Sequence, residues 1–142
     1  MTFQPQNNNY REAVRALFES IPIHNFLDIT LDEIEPGFVS AYLPKRPELL
    51  QQHGYFQAGA LVTLADAVAG AAAYSLMNES ENLLSVNFAV SLLRPAKADK
   101  IRGEGRVIKA GKRLYFCEAV LFNETGEKRE KILTATVTLM VV

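Results

Sequence analysis

The sequence is short of the residues that would point to several common functions. Among its 142 residues is one cysteine, Cys117, which excludes an internal disulfide framework and leaves no spaced thiol set for a metal. Its place in an alternating apolar run reads as a strand thiol rather than a reactive one. Basic residues are not in excess: 15 Lys and Arg against 16 Asp and Glu give a net charge of −1. The basic face expected of a nucleic-acid binder is therefore missing. The N-terminus shows no basic-then-apolar targeting pattern, so the expected location is cytoplasmic. Neither an internal repeat nor a linker composition breaks the chain. One domain over residues 1–142 is expected, with the polar run 1–9 (MTFQPQNNN) as a frayed tail.

What is present is apolar residues, 49% of the total, enough for a packed core at this length. They concentrate in the stretch QQHGYFQAGALVTLADAVAGAAAYSLM, Gln51 to Met77. Ala58 to Met77 is long enough to span a bilayer as a helix. It is nevertheless built of Ala, Gly, Ser and Thr around a central Asp66, which costs about 2.5–3.5 kcal/mol on insertion scales. No Leu, Ile or Phe block offsets that cost. The stretch reads instead as the buried helix of a globular protein, with no membrane partner.

Strand patterns surround this helix. Tyr10 to Ser20 has helical spacing at Ala13, Val14, Leu17 and Phe18, with Asn9 as N-cap and Pro22 beyond its end. His24 falls in a connector, where a surface or packing role is expected of it. Phe26 to Glu35 and Phe38 to Pro44 flank the turn signal Glu35-Pro36-Gly37 and predict a hairpin. After the central helix come Leu83 to Leu93, Lys100 to Lys109, Arg113 to Phe122 and Lys131 to Val142. Asn123 to Glu130 predicts a longer hairpin loop. Helix, two strands, long helix, four strands predicts an α+β fold with an antiparallel sheet curled over one helix.

Asp66 is the chemical singularity. Three- and four-residue spacing puts it on a helix stripe with Gly59, Val62, Thr63, Ala69, Gly70 and Ala73. A carboxylate among small residues is not an ordinary solvated face, and it needs hydrogen bonds or a function. A purely structural Asp is the alternative. The loop ahead, with His53-Gly54 and Ala58-Gly59, leads into a helix N-terminus whose N–H groups are free donors. The Gly59 amide can approach a carbonyl closely, opposite a carboxylate acting as base or nucleophile.

The run Gln51-x-His53-Gly54-x-x-Gln57-Ala58-Gly59-x-Leu61-x-x-Leu64-Ala65-Asp66-x-x-x-Gly70 resembles the signature of hotdog-fold thioesterases of the phenylacetate-degradation (PaaI) type. Ser85-Val86-Asn87-Phe88, leading to Arg94-Pro95-Ala96, resembles the strand that follows the central helix in that family. The resemblance covers Phe26 to the C-terminus. It implies hydrolysis of an acyl-CoA to a free acid and CoA, with no cofactor beyond the substrate itself. By position it implies that Asp66 is the catalytic carboxylate and Gly59 the amide that polarises the carbonyl. Ser85 would orient a water, and Gln51 would assist where many members carry Asn. His53 is a further acid/base candidate, with loop shaping as its alternative role. Gln57, Ala58, Asn87 and Arg94 are the implied substrate contacts. Two departures stand out: Gln57 where His is usual, and Ala58 where the first Gly is usual.

The resemblance further implies a homodimer with the site between subunits, and room for a dimer of dimers. Arg94, Lys109, Lys112 and Arg113 are candidate contacts for CoA phosphates. A hydratase would want a titratable group where Gln57 stands. A non-catalytic acyl-CoA-binding protein is the alternative from another class.

Overall fold

The structure, a computed structural model, describes residues 2–142. Helix α1 (Tyr10–Ser20) buries Tyr10, Val14 and Phe18, a four-residue repeat that lays one face on the core. Asn9 holds the N-cap position but its side chain makes no capping bond. The segment expected as a frayed tail makes specific contacts: Gln6 N–H donates to the Leu76 carbonyl and Phe3 packs on the core.

The expected connector and strand start are replaced by a second helix, α2 (Pro22–Phe26), with proline in its first turn. Proline has no N–H to lose there and its fixed φ suits a helix start. Asp28 then takes a left-handed backbone (φ 57°), so strand β1 begins only at Thr30 and runs to Glu35. Strand β2 (Phe38–Pro44) returns across a turn in which Gly37 has φ 78°.

Helix α3 (Ala58–Tyr74) follows, then β3 (Leu83–Leu92), β4 (Lys100–Ala110), β5 (Leu114–Thr125) and β6 (Lys128–Val141). The longer loop expected at 123–130 is a two-residue turn. Its strands pair up to Thr125–Lys128, and Gly126 takes the positive φ that a tight hairpin needs at its first position. Polar side chains there mark solvated strand ends, not a loop.

The six strands form one antiparallel sheet in the order β1-β2-β4-β5-β6-β3. It curls over α3, whose Leu64, Ala65, Val68, Ala69 and Ala72 are buried. Two strand glycines set how close the helix sits. A Cβ on Gly105 would lie 2.3 Å from the Val68 backbone, and one on Gly103 would lie 2.9 Å from Leu64. The inward Gly-x-Gly of β4 is therefore the seat of the helix.

On the convex face Arg102 is only 2% exposed. Its guanidinium donates to Asp32 at 2.8 Å, Glu33 at 2.6 Å, Glu104 at 2.9 Å and the Tyr42 hydroxyl at 2.9 Å. Burial opposes its charge, but these hydrogen bonds together hold it above the usual arginine range. Arg102 thereby fastens β1 and β2 to β4. No helix among the described residues is long and apolar enough to cross a membrane.

Candidate active site

Asp66 lies two turns inside α3, half-buried, and Ser85 Oγ–H donates to its Oδ1 at 2.6 Å. Strict alternation along β3 would put Ser85 on the opposite face from Phe88, Val90 and Leu92. A bulge at Val86 breaks the register between Ser85 and Asn87. One inserted residue flips the facing of everything beyond it. Ser85 pairs with the inward Leu139 and Phe88 with the inward Val137, so both face the helix. Asn87 pairs with Thr138 and faces the convex side, away from Asp66.

The Asp66–Ser85 pair opens into a cavity of about 280 Å³ between α1, α2, α3 and the inner ends of β3 and β6. His24, which sequence reasoning left in a connector, is buried in its wall. Its Nδ1–H donates to the Phe18 carbonyl at 3.0 Å, and its ring packs tilted against the Phe18 ring, with centroids 4.2 Å apart and planes 43° from parallel. Burial lowers its pKa below the ordinary 6.5, against the raising influence of the Phe18 carbonyl and the Asp66 carboxylate. Burial therefore favours the neutral ring. Proline at the first turn of α2 was the available local signal for this geometry. The spacing of α3 was misleading in one respect. Of the expected Asp66 stripe, Thr63 and Gly70 line the cavity, but Ala69 and Ala73 are fully buried, and Ala67 and Ala71 take their place in the wall.

The remaining candidates gather elsewhere. Gln51, Gln57, Ala58 and Arg94 line a second groove, at the N-terminus of α3, that shares no lining residue with the Asp66 cavity. Gln57 is the N-cap of α3, and its side-chain oxygen accepts the Gly59 N–H at 2.5 Å. The amide expected to meet a carbonyl thus already has an acceptor. Gln51 Oε1 accepts the backbone N–H of His53 at 2.5 Å and of Tyr55 at 3.3 Å, so this oxygen shapes the loop. His53 is exposed and enters that turn through its backbone, while Gly54 supplies φ 84°. Arg94 donates to the Lys131 carbonyl at 2.7 Å. It sits nine residues beyond Ser85, roughly 30 Å along an extended strand. Lys109, Lys112 and Arg113 lie at the β4–β5 turn, at the other end of the sheet.

Within one chain the candidate residues thus fall into two separate groups. Gly59 and Asp66 share a helix face but stand about 10 Å apart along its axis at 1.5 Å per residue. Direct attack by Asp66 on a carbonyl held at the Gly59 amide of the same chain is out of reach. Cys117 is buried and its thiol is pushed up to about 12 by burial, which fits an inert strand position. Among the described residues no three His, Cys, Asp or Glu side chains gather as a metal site.

A six-stranded antiparallel sheet curled over one long helix is the hotdog arrangement. The chain belongs to the thioesterase superfamily, whose family model matches residues 53–130, and it is a thioester hydrolase. A thioesterase family protein from Silicibacter pomeroyi has the same structure at a TM-score of 0.91, with 34% identity over 94% of this chain and 98% of that one. The 1,4-dihydroxy-2-naphthoyl-CoA hydrolase of Escherichia coli (strain K12) is 25% identical over 81% of this chain and 84% of its own length. The PaaI protein of the E. coli phenylacetic acid degradation operon shares the fold at a TM-score of 0.85, with 17% identity over 94% of this chain and 93% of that chain. The expected family and fold are thereby borne out.

Proposed function

We propose that this protein hydrolyses acyl-CoA thioesters to a free acid and CoA in a site shared by two copies of the chain. Asp66 acts on the thioester carbonyl, as general base toward a water or as the nucleophile itself. The Gly59 amide of the facing copy polarises the carbonyl oxygen. Addition at the carbonyl carbon is followed by loss of the CoA thiolate, which takes up the proton released by water.

The observation that carries this reading is the Ser85–Asp66 hydrogen bond of 2.6 Å at the mouth of an apolar cavity. A hydroxyl donating to one carboxylate oxygen fixes the group and leaves the other oxygen for chemistry. The Gln57 side chain must leave the Gly59 amide as the carbonyl oxygen arrives. That exchanges one hydrogen bond for another and forfeits a cap worth about 0.5–2 kcal/mol.

The separation of the two groups supports a dimer. β3 is an edge strand, and Phe88 (46% exposed) and Leu92 (56%) are uncovered on it. A long apolar edge invites pairing. Antiparallel pairing of β3 with its own copy carries the Arg94 end of one strand toward the Ser85 end of the other. CoA then lies in the groove of Gln51, Gln57, Ala58 and Arg94, with Arg94 near its phosphates.

Turnover of an acyl-CoA panel tests the reading, with Asp66→Ala as the control. Loss of a positioned base lowers kcat by about 10²–10⁴-fold. Full activity in Asp66→Ala would sink the mechanism.

A further inference from the structure

The cavity behind Asp66 has a shape and chemistry that the hydrolysis reaction alone does not explain. Its far walls are Leu17, Ile21 and Ile23 from α1, α2 and the residue joining them, facing Gly70, Tyr74 and Leu139. No lysine or arginine lines it.

Gly70 is the telling residue. Glycine is the poorest helix former after proline, so its presence inside α3 needs a reason. Its φ is not in the left-handed region, so the backbone does not require it. Nor does close packing. An added Cβ would meet only a Leu139 methyl at 3.7 Å, an ordinary contact, whereas Gly105 seats a helix backbone. What the missing side chain leaves is space in the cavity.

We propose that this cavity is the acyl compartment, and that the α1–α2 pair together with Gly70 sets the length of acyl chain accepted. The proposal rests on the hydrolase reading above. A carbonyl carbon attacked at Asp66 has two substituents, and the CoA arm, carrying phosphates, cannot enter an apolar wall without unpaired charge. The acyl arm can. Its walls offer no lysine or arginine for a second carboxylate, which favours an uncharged acyl group. At roughly 30 Å³ per water-sized group, the volume takes on the order of eight to ten non-hydrogen atoms. That suits a medium straight chain or a single ring, not a sixteen-carbon chain. Leu17 and Ile23, 38% and 48% exposed, form the outer lip.

The test is kcat/KM for acetyl-, hexanoyl-, octanoyl-, phenylacetyl- and palmitoyl-CoA with wild type and Gly70→Val. Octanoate binding is measured on both by calorimetry. Wild type should prefer octanoyl- or phenylacetyl-CoA. Gly70→Val should lower kcat/KM for these at least tenfold more than for acetyl-CoA, and weaken octanoate binding at least tenfold. A uniform change across the panel, or octanoate binding unaltered by the substitution, would overturn the compartment. If Gly70→Val does not fold, Gly70→Ala and Leu17→Trp fill the cavity from opposite walls and face the same criteria. A folded wild type that binds octanoate but turns over no acyl-CoA refutes the hydrolysis reading while keeping the compartment.

Discussion

The single residue with the largest gap between its sequence context and its surroundings is His24. It follows Ile21-Pro22-Ile23, where nothing local marks it as more than a connector residue, yet it is buried in the wall of the Asp66 cavity. Because burial holds its pKa below 6.5, the unfolded chain binds more protons than the folded chain between the lowered value and 6.5. The stability His24 contributes is complete above about pH 6.5 and is lost as pH falls from 6.5 through the folded-state value. His24→Gln keeps an N–H for the Phe18 carbonyl and cannot titrate. Its melting temperature should fall less than that of wild type between pH 7 and pH 5. Parallel curves for the two proteins would show that His24 does not carry this dependence. Asp66 was legible because a lone carboxylate in a small-residue apolar run is conspicuous. The turn-shaping bonds of Gln51 were not legible, because a side chain's choice between a turn and a substrate is decided by loop geometry that residue types do not encode.

At the scale of elements, α3 and β4 depend on each other. The helix is apolar nearly all round, so its amphipathic face says little about which side meets the sheet. Gly103 and Gly105 decide it by admitting the helix backbone to within contact of β4. Gly105→Ala places a Cβ against backbone atoms that no rotamer change can move. The expected loss is about 2–4 kcal/mol, a drop on the order of 5–15 °C in melting temperature. Thermal unfolding followed by circular dichroism measures it, and an unchanged midpoint would mean that α3 is not seated there. The strands themselves were readable from alternation, apart from their ends. β1 starts late because Pro22 initiates a helix, and the β5–β6 hairpin is longer than its polar residues suggested. Solvated strand ends and loops share one composition, and only the pairing partner distinguishes them.

For the whole molecule, the unfinished feature is the β3 edge. Its Phe88 and Leu92 are left uncovered at the end of the sheet, and the proposed site needs a second copy to bring Gly59 to Asp66. Phe88→Asp puts a charge on that edge at a partly exposed position, so the fold should survive. Sedimentation equilibrium is expected to show a shift from dimer toward monomer, with acyl-CoA turnover falling at least tenfold in parallel. A Phe88→Asp protein that stays dimeric, or a monomer with full activity, would place the subunit contact elsewhere.

Periodicity and composition by themselves determined the element order, the α+β class and the conspicuous carboxylate. These follow from local rules, two-residue alternation in strands and three-to-four-residue spacing in helices, that neighbours along the chain enforce. Tertiary structure alone decided which groups meet. The bulge at Val86 puts Ser85 on the Asp66 side of the sheet and Asn87 on the other, where strict alternation would keep the two on one face. The packing of α1 and α2 over α3 makes a cavity from residues more than forty positions apart. A one-residue register shift leaves composition untouched and changes every facing beyond it, which is why that choice had to wait for the folded chain.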